Sequence, residues 1–387
     1  MAPRINTRFQ MTTKRDKILI IGAGHAGCGM AVDFEDRKAG ATLLWAAEGH
    51  DRVFQKIARQ GCLPSYLDLN GTFEPELSKD LDYGFSRAWL AIVTTPATGQ
   101  DGIIAMIAKL VDEKNIDGSE TLLMFNSGRL ISPIAWQRLK DAGFKNILET
   151  CKSPYSSRVE ELDDGTVRVR LNAYKHRLHI AGLHPISLYD RTRLNRIFRM
   201  KVIYVSNILK LFLLGQYFIH IGTVLSNLSP IENKEPKKFY SGLMSPAVCK
   251  LSEHAHQLTL DVASKLGFTG METMLEAFKK DYGSDAADLG SFVRDCPELN
   301  RRPGLPSSMK DRQLDEDVLY YAVPVVSIAE ALHVGGTHLD MVKGWIASAS
   351  ALNGKDYRAE GRDLGDFGLS GNARREQILE VFSARED

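Results

Sequence analysis

Short, largely apolar runs punctuate the first 150 residues of the chain. They are Ile18-Leu19-Ile20-Ile21, Thr42-Leu43-Leu44-Trp45, Ala88 to Thr94, Thr121 to Phe125 and Asn146-Ile147-Leu148. Continuous rather than alternating hydrophobicity predicts parallel strands covered on both faces. Between the runs, apolar residues recur at helical spacing. Met30, Ala31, Val32 and Phe34 follow the first run, and Ile103, Ile104, Ile107, Leu110 and Val111 follow the third. This alternation predicts an α/β, doubly wound parallel sheet. Residues 61–80 are polar and irregular, with Phe73 expected on a short strand. Val167 to Leu171 and Arg177 to Ala181 alternate in polarity and read as half-buried antiparallel strands finishing the first domain. From about Asp190 strands give way to long helical patterns, including Met244 to Leu266 and Val318 to Val334. The expected organisation is a loose tail over 1–15, a sheet domain over 16–190 and a helical domain over 191–387. No internal repeat is present.

The first run ends in Gly22-Ala23-Gly24-His25-Ala26-Gly27. Gly22 suits the tight turn, Gly24 lets backbone approach a pyrophosphate, and Gly27 lets the new helix pack close on its strand. The helix N-terminus adds free N–H groups for phosphate. With a strand before it and a helix after it, the motif predicts dinucleotide binding through Gly22, Gly24, His25, Ala26 and Gly27. Thr95, Pro96 and Asn126 lie just past the carboxyl ends of later strands, where the nicotinamide is expected. The second strand is followed by Ala46 and Ala47, with Glu48 late and Arg52 close behind. Glu48 is the candidate for a ribose hydroxyl and Arg52 for a 2′-phosphate. The cofactor is therefore NADPH or NADH, with NADPH slightly favoured.

Composition narrows the class. The chain of 387 residues is 44% hydrophobic and 25% charged, with 49 Lys+Arg against 48 Asp+Glu. Near-zero net charge argues against a nucleic-acid partner. The five cysteines form no C-x-x-C pair, which fits free thiols in a cytoplasmic, reducing setting. The opening residues carry Arg4, Arg8 and Lys14 without an apolar core, unlike a signal peptide. The most apolar stretch, Val202 to Leu225, contains Lys210, Gln216 and His220, so a buried helix explains it better than a membrane span. A monomer or homodimer without membrane or nucleic-acid partners is expected.

The helical half offers few candidates for chemistry. His220 lies in an apolar stretch, where an imidazole needs a partner or a task. Arg312 and Asp317 bracket a strongly polar segment entering an amphipathic helix, which on its own also reads as a solvated helix start. His254/His256 and His333/His338 lack a carboxylate or cysteine at ligand spacing, so no metal is expected.

Several stretches together resemble the octopine/nopaline (opine) dehydrogenases, most closely the octopine synthase type. They are GAGHAG with Gly29-Met30-Ala31; Val93 to Gln100; Glu149 to Arg158, similar to E-[TA]-x-x-x-P-Y-x-x-R; Phe239-Tyr240; and Arg312 to Val318, similar to R-Y-L-x-E-D-V. The matches run from about residue 17 to 370. The resemblance implies a Rossmann-like domain followed by an all-α domain like the C-terminal one of 6-phosphogluconate dehydrogenase. It implies reductive condensation of an amino acid with a 2-oxo acid, pyruvate or 2-oxoglutarate, using NAD(P)H. It assigns His220 as catalytic with Asp317 as its partner, and Arg312 as the substrate-carboxylate arginine. Glu149 and Thr150 either face substrate or nicotinamide or merely close their strand, and Tyr155 and Arg158 are expected to shape the interdomain cleft. The chain departs from the family's N-x-x-x-H-P: Gln216 precedes His220, Ile221 follows it, and Gln313 replaces the aromatic after Arg312. Two rivals share the architecture: a 2-hydroxy-acid or ketopantoate-type reductase, which usually employs a catalytic lysine, and a non-catalytic dinucleotide sensor.

Overall fold

The computed structural model describes residues 15–114, 116–301 and 304–383. Residues 1–14 of the expected tail lie outside this range. Arg15 belongs to the fold, donating to Thr121 Oγ1 at 2.6 Å and to the Asp117 carbonyl at 2.7 Å.

The strands, in chain order, are β1 (Lys17–Ile21), β2 (Thr42–Trp45), β3 (Leu63–Leu67), β4 (Gly71–Phe73), β5 (Glu76–Leu77), β6 (Ala88–Val93), β7 (Leu122–Phe125), β8 (Asn146–Thr150), β9 (Tyr155–Glu161), β10 (Val167–Tyr174), β11 (Arg177–Gly182) and β12 (Lys201–Tyr204). Eight form one sheet in the order β12-β11-β8-β7-β6-β1-β2-β5. All its neighbours are parallel except β8 and β11. Leu19, Ile21, Ala91 and Val93 enter the core on one face, and Ile18, Ile20, Leu90 and Ile92 the core on the other. Burial on both faces is why these runs are apolar throughout. Helices α1 (His25–Asp36), α2 (Arg52–Gln60), α3 (Leu81–Arg87), α4 (Ala97–Lys114) and α5 (Ser132–Arg138) connect the strands.

The two alternating segments part company. β11 joins the main sheet, whereas β10 joins a second sheet in the order β4-β3-β10-β9. Alternation specifies a strand with one wet face but not its neighbour, and β3, interrupted by Pro64 and Ser65, and the polar β9 escape a search for apolar runs. This small sheet packs on α1. Asp33 of α1 is fully buried and accepts from the Tyr155 hydroxyl (2.8 Å), the Tyr174 hydroxyl (3.1 Å) and Arg199 Nε (3.0 Å). Tyr155 is thus a fastener of α1, not a wall of the cleft.

The sheet unit also extends beyond the expected boundary at Asp190. That residue lies in α6 (Leu188–Ile197), which leads into β12 and keeps the chain in the sheet through Tyr204. The helical unit starts with α7 (Ile208–Leu213) and α8 (Phe218–Leu225), which pack with the helices Pro246–Lys265 and Thr337–Asn353. The run Ile208–Leu225 is apolar enough to cross a bilayer, yet it bends into two helices and is 78% buried. Val262 and Leu258 share one continuous core with Leu19 and Phe125 of the sheet.

A further helical segment, Asp315 to Ala331, widens into a π turn over Val318–Ala322. Pro324 cannot donate a backbone hydrogen bond, and the Arg362 N–H satisfies the Leu319 carbonyl instead, at 3.0 Å.

Charges tie the helical unit to the edge of the sheet. Arg177 of β11 bonds Asp281 Oδ1 (2.8 Å) and both Glu272 oxygens (2.8 and 2.6 Å), and Lys152 also pairs with Asp281. Burial works against the Glu272 carboxylate, but Arg177 and Lys280 outweigh it and hold its pKa at about 2. A depressed carboxylate pKa stabilises the fold at neutral pH, and that contribution is lost as pH falls toward 2. Asp281→Ala removes the buried carboxylate that Arg177 and Lys152 share, leaving Arg177 only Glu272 as a charge partner and Lys152 only the Gln216 amide. The expected cost is about 3–5 kcal/mol, read from the denaturant midpoint. An unchanged midpoint contradicts the latch.

Candidate active site

The glycine turn is dictated by contact. A Cβ on Gly27 would sit 1.8 Å from the Gly22 carbonyl oxygen, while one on Gly24 would meet nothing within 4 Å. Gly27 is needed by the fold, and Gly24 faces open space. Gly24 also caps α1, with no side-chain cap and no acidic residue in the first turn. The first N–H groups of α1 are therefore free for an anion. Thr94 Oγ1 donates to the Gly22 carbonyl at 3.0 Å, and Thr95 Oγ1 beside it is buried without a partner. Open glycine face, uncapped helix and orphaned hydroxyl fit the pyrophosphate of a dinucleotide.

Sheet two contributes to the same turn. His25 Nδ1 accepts from the Val159 N–H (2.9 Å), and Ser157 Oγ donates to the His25 carbonyl (2.8 Å). Desolvation, together with the charges of Arg158 and Arg312, lowers the His25 pKa to about 4. The imidazole is neutral at physiological pH and presents no competing cation. Arg158, expected in the cleft, has Nη1 3.3 Å from His25 Nε2. Arg312, from the helical unit, stands exposed beside the same turn. Ala26 is half-buried on α1 and Pro96 exposed at the end of β6.

At the far end of β2, Glu48 is exposed in a turn. Arg52 bonds Glu161 of sheet two at 2.5 Å instead of standing free for a phosphate. A second cation lies nearby. Lys79 Nζ donates to the Ala46 carbonyl at 3.3 Å and pairs with Asp51.

The strand ends β7 and β8 carry the most constrained loop. Ser127, Arg129 and Leu130 all have left-handed backbone, with φ of 55°, 58° and 65°. Glu149 holds them there. Its two oxygens accept from the Leu130 N–H (3.0 Å), the Ser132 N–H (2.7 Å) and the Ser132 hydroxyl (2.6 Å). Thr150 Oγ1 accepts from the Ser127 N–H (2.9 Å) and lies 3.4 Å from Asn126 Oδ1. A Cβ on Gly128 would strike the Glu149 carboxyl at 2.4 Å. Both Glu149 and Thr150 are 1% exposed. Of the two alternatives, facing substrate or nicotinamide and closing the strand, these bonds show the second extended to bracing this loop. Burial raises the Glu149 pKa against the opposing pull of Ser132, Leu130 and Arg362.

The loop presents Arg129 to the helical unit. Its Nη2 bonds Asp317 Oδ1 at 2.6 Å, its Nη1 bonds the Glu316 carbonyl at 3.1 Å, and its guanidinium lies 4.0 Å from the centre of the Tyr217 ring. Glu316 Oε1 accepts from the Ala97 N–H at the start of α4, at 2.9 Å. The other Asp317 oxygen lies 2.7 Å from His220 Nδ1. Burial pushes the Asp317 carboxyl up, but Arg129 and His220 outweigh it and hold its pKa below the ordinary carboxylate value. An ionised carboxylate only accepts, so His220 Nδ1 carries a proton and Nε2 is the atom left for exchange. The Tyr240 hydroxyl stands 3.1 Å from Nε2, and the Phe239 ring packs against the imidazole. Sequence reasoning paired His220 with Asp317 and named Phe239-Tyr240 without a task. It missed Arg129, whose only signal is a lone arginine between Gly128 and Leu130. Gln216, the departure before His220, accepts from Lys152 at 2.9 Å. Among the described residues, no three His, Cys, Asp or Glu side chains are grouped to hold a metal ion.

Residues 204–353 match the family model for the α-helical domain of NAD/NADP octopine/nopaline dehydrogenase. The ocs protein of Agrobacterium tumefaciens is 26% identical over 361 residues, covering 92% of this chain and 96% of that protein. The chain is similar to the octopine/nopaline dehydrogenases over most of its length. Among solved structures, octopine dehydrogenase with NADH and agmatine superimposes with a TM-score of 0.72 at 16% identity, over 96% of this chain and all of that one. Yersinopine dehydrogenase with NADP+ gives 0.64 at 15% identity, over 96% and 99%. Family members are oxidoreductases acting on CH–NH donors with a nicotinamide dinucleotide, and the open glycine turn fits that group.

Two glycine variants separate fold from binding. Gly27→Ala is expected to lower the melting temperature and abolish NAD(P)H binding. Gly24→Ala should melt with the parent but bind NAD(P)H about tenfold more weakly, the cost of one overpacked methyl. Parental affinity in Gly24→Ala would show that the pyrophosphate does not cross this residue.

Proposed function

We propose that the protein condenses the α-amine of an amino acid with a 2-oxo acid, pyruvate or 2-oxoglutarate, and reduces the product to an N-(carboxyalkyl)amino acid. Amine and ketone carbon join with loss of water to give an imine. Bound NAD(P)H supplies the hydride to the imine carbon, and one proton completes the secondary amine. The observation that carries this reading is the His220–Asp317 pair, held against the strand ends where the nicotinamide is expected. His220 Nε2 takes a proton from the attacking amine and returns one as the hydroxyl leaves, while Asp317 fixes the tautomer. The Tyr240 hydroxyl beside Nε2 steadies that exchange. Arg312 offers a planar fork to a substrate carboxylate.

NADPH is the favoured cofactor of the two. Ala46 and Ala47 leave no acid at the end of β2, and Lys79 at the Ala46 carbonyl is balanced by its pair with Asp51. Engagement of the exposed Arg52 with Glu161 weakens its part in this preference. All five cysteines are free, four of them buried, which supports a cytoplasmic setting.

The test is NAD(P)H oxidation across a matrix of amino acids and 2-oxo acids. Turnover should require both substrates, with NADPH at least as effective as NADH. Rapid turnover of a 2-oxo acid alone would make the protein a hydroxy-acid reductase.

A further inference from the structure

We infer that Arg129 is a positioning residue of the reaction: it holds the catalytic carboxylate from the cofactor-binding side and sets the pH range in which the dyad works. The inference rests on the acid/base reading of His220 and Asp317. Its geometry stands on separate observations. Asp317 divides its oxygens, Oδ2 toward His220 of α8 and Oδ1 toward Arg129 of the β7–α5 loop. Arg129 is 7% exposed and Asp317 2%. A guanidinium this deeply buried does not serve solubility, and a carboxylate this buried does not stay ionised without compensation.

The charged and titratable groups around Asp317 are few. His220 faces it from α8, Arg129 from the sheet unit and Glu316 from its own turn, 3.9 Å from Arg129 Nη2. The Tyr217 ring floors the guanidinium, and the Tyr240 hydroxyl lies beyond the imidazole. Arg129 is therefore the one fixed positive charge touching the carboxylate among the described residues. It serves two ends. Its second bond, to the Glu316 carbonyl, fixes the turn from which Asp317 projects. Its charge keeps Asp317 ionised as pH falls, so the imidazole retains its acceptor.

The loop itself supports a dedicated role. Three non-glycine residues within the four positions 127–130 do not adopt left-handed backbone without a cause. Here the strain is over-determined by Glu149, by Thr150 and by Arg362, whose Nη1 donates to the Arg129 carbonyl at 2.5 Å. The E-T pair at the end of β8 thus acts on the dyad at one remove, through the direction in which Arg129 points.

The experiment compares Arg129→Gln and Arg129→Lys in pH profiles of kcat/KM, with dinucleotide affinity as the control for folding. In Arg129→Gln, kcat should fall about tenfold or more. The acid limb should move to higher pH by about one unit, because a neighbouring cation lowers a carboxylate pKa by about one to three units. Dinucleotide affinity should remain within about threefold of the parent. Arg129→Lys keeps the charge but cannot bond Asp317 and Glu316 together. Its acid limb should coincide with the parent's while kcat stays depressed. A lowered kcat with an unmoved limb in Arg129→Gln overturns the inference, as does a parental kcat in Arg129→Lys. Should Arg129→Gln fail to fold, the lysine variant alone decides. His220→Asn is assayed beside them. Retained activity there removes the acid/base reading itself, whereas lost activity there with an unmoved Arg129 profile removes only this inference.

Discussion

The buried carboxylate of Asp317 is the point on which both halves of the molecule bear. At 2% exposure it has lost its hydration, and it must recover that energy from partners fixed in place. One partner, His220, comes from the helical unit and the other, Arg129, from the loop after β7. The bond to Arg129 forms only when the two units sit in one relative position. The neighbouring Glu316 repeats the requirement by capping α4 through the Ala97 N–H. Three successive acidic residues in the sequence therefore do different work. Asp315 meets the Tyr357 hydroxyl at 2.7 Å, Glu316 caps a helix of the other unit, and Asp317 joins the dyad.

This constraint explains costs elsewhere. Left-handed backbone at Ser127, Arg129 and Leu130 costs on the order of 1–3 kcal/mol per residue. Hydrogen bonds from buried N–H groups to the Glu149 carboxylate and to Thr150 offset it, each charged one contributing about 1.5–3 kcal/mol. The result is a loop that cannot relax away from the helical unit. For a reaction that brings two substrates and a hydride donor together, such rigidity shortens the search for a reactive geometry. The glycine turn follows the opposite rule: Gly24 leaves open space, because the missing atoms there belong to a ligand.

Much of this was legible in the sequence. Continuous apolar runs forecast parallel strands because burial on both faces leaves no room for polar residues. The glycine turn was readable because steric exclusion acts through nearest neighbours in sequence. His220 and Asp317 were paired by motif, and the fold brings them together across 97 residues. What stayed hidden has a common cause. β9 is polar and β3 is interrupted by Pro64 and Ser65, and both pack on α1, a partner remote in sequence. The sheet continues past Asp190 because β12 is only four residues long and lies between helices. Glu149 and Thr150 stand in a motif whose spacing is local, but their acceptors' donors lie about twenty residues upstream. Arg129 carries no pattern, since its meaning comes from a carboxylate 188 residues away.

The most direct test of the shared carboxylate is a double-mutant cycle on His220 and Asp317, with turnover and dinucleotide binding measured on the same preparations. If the two side chains act as one acid/base unit, His220→Asn and Asp317→Asn each lose about 10²–10⁴-fold in turnover. The double variant then loses little more than either, and dinucleotide binding is retained in all three. Additive losses, or a destabilised His220→Asn protein that turns over at the parental rate, would contradict the account.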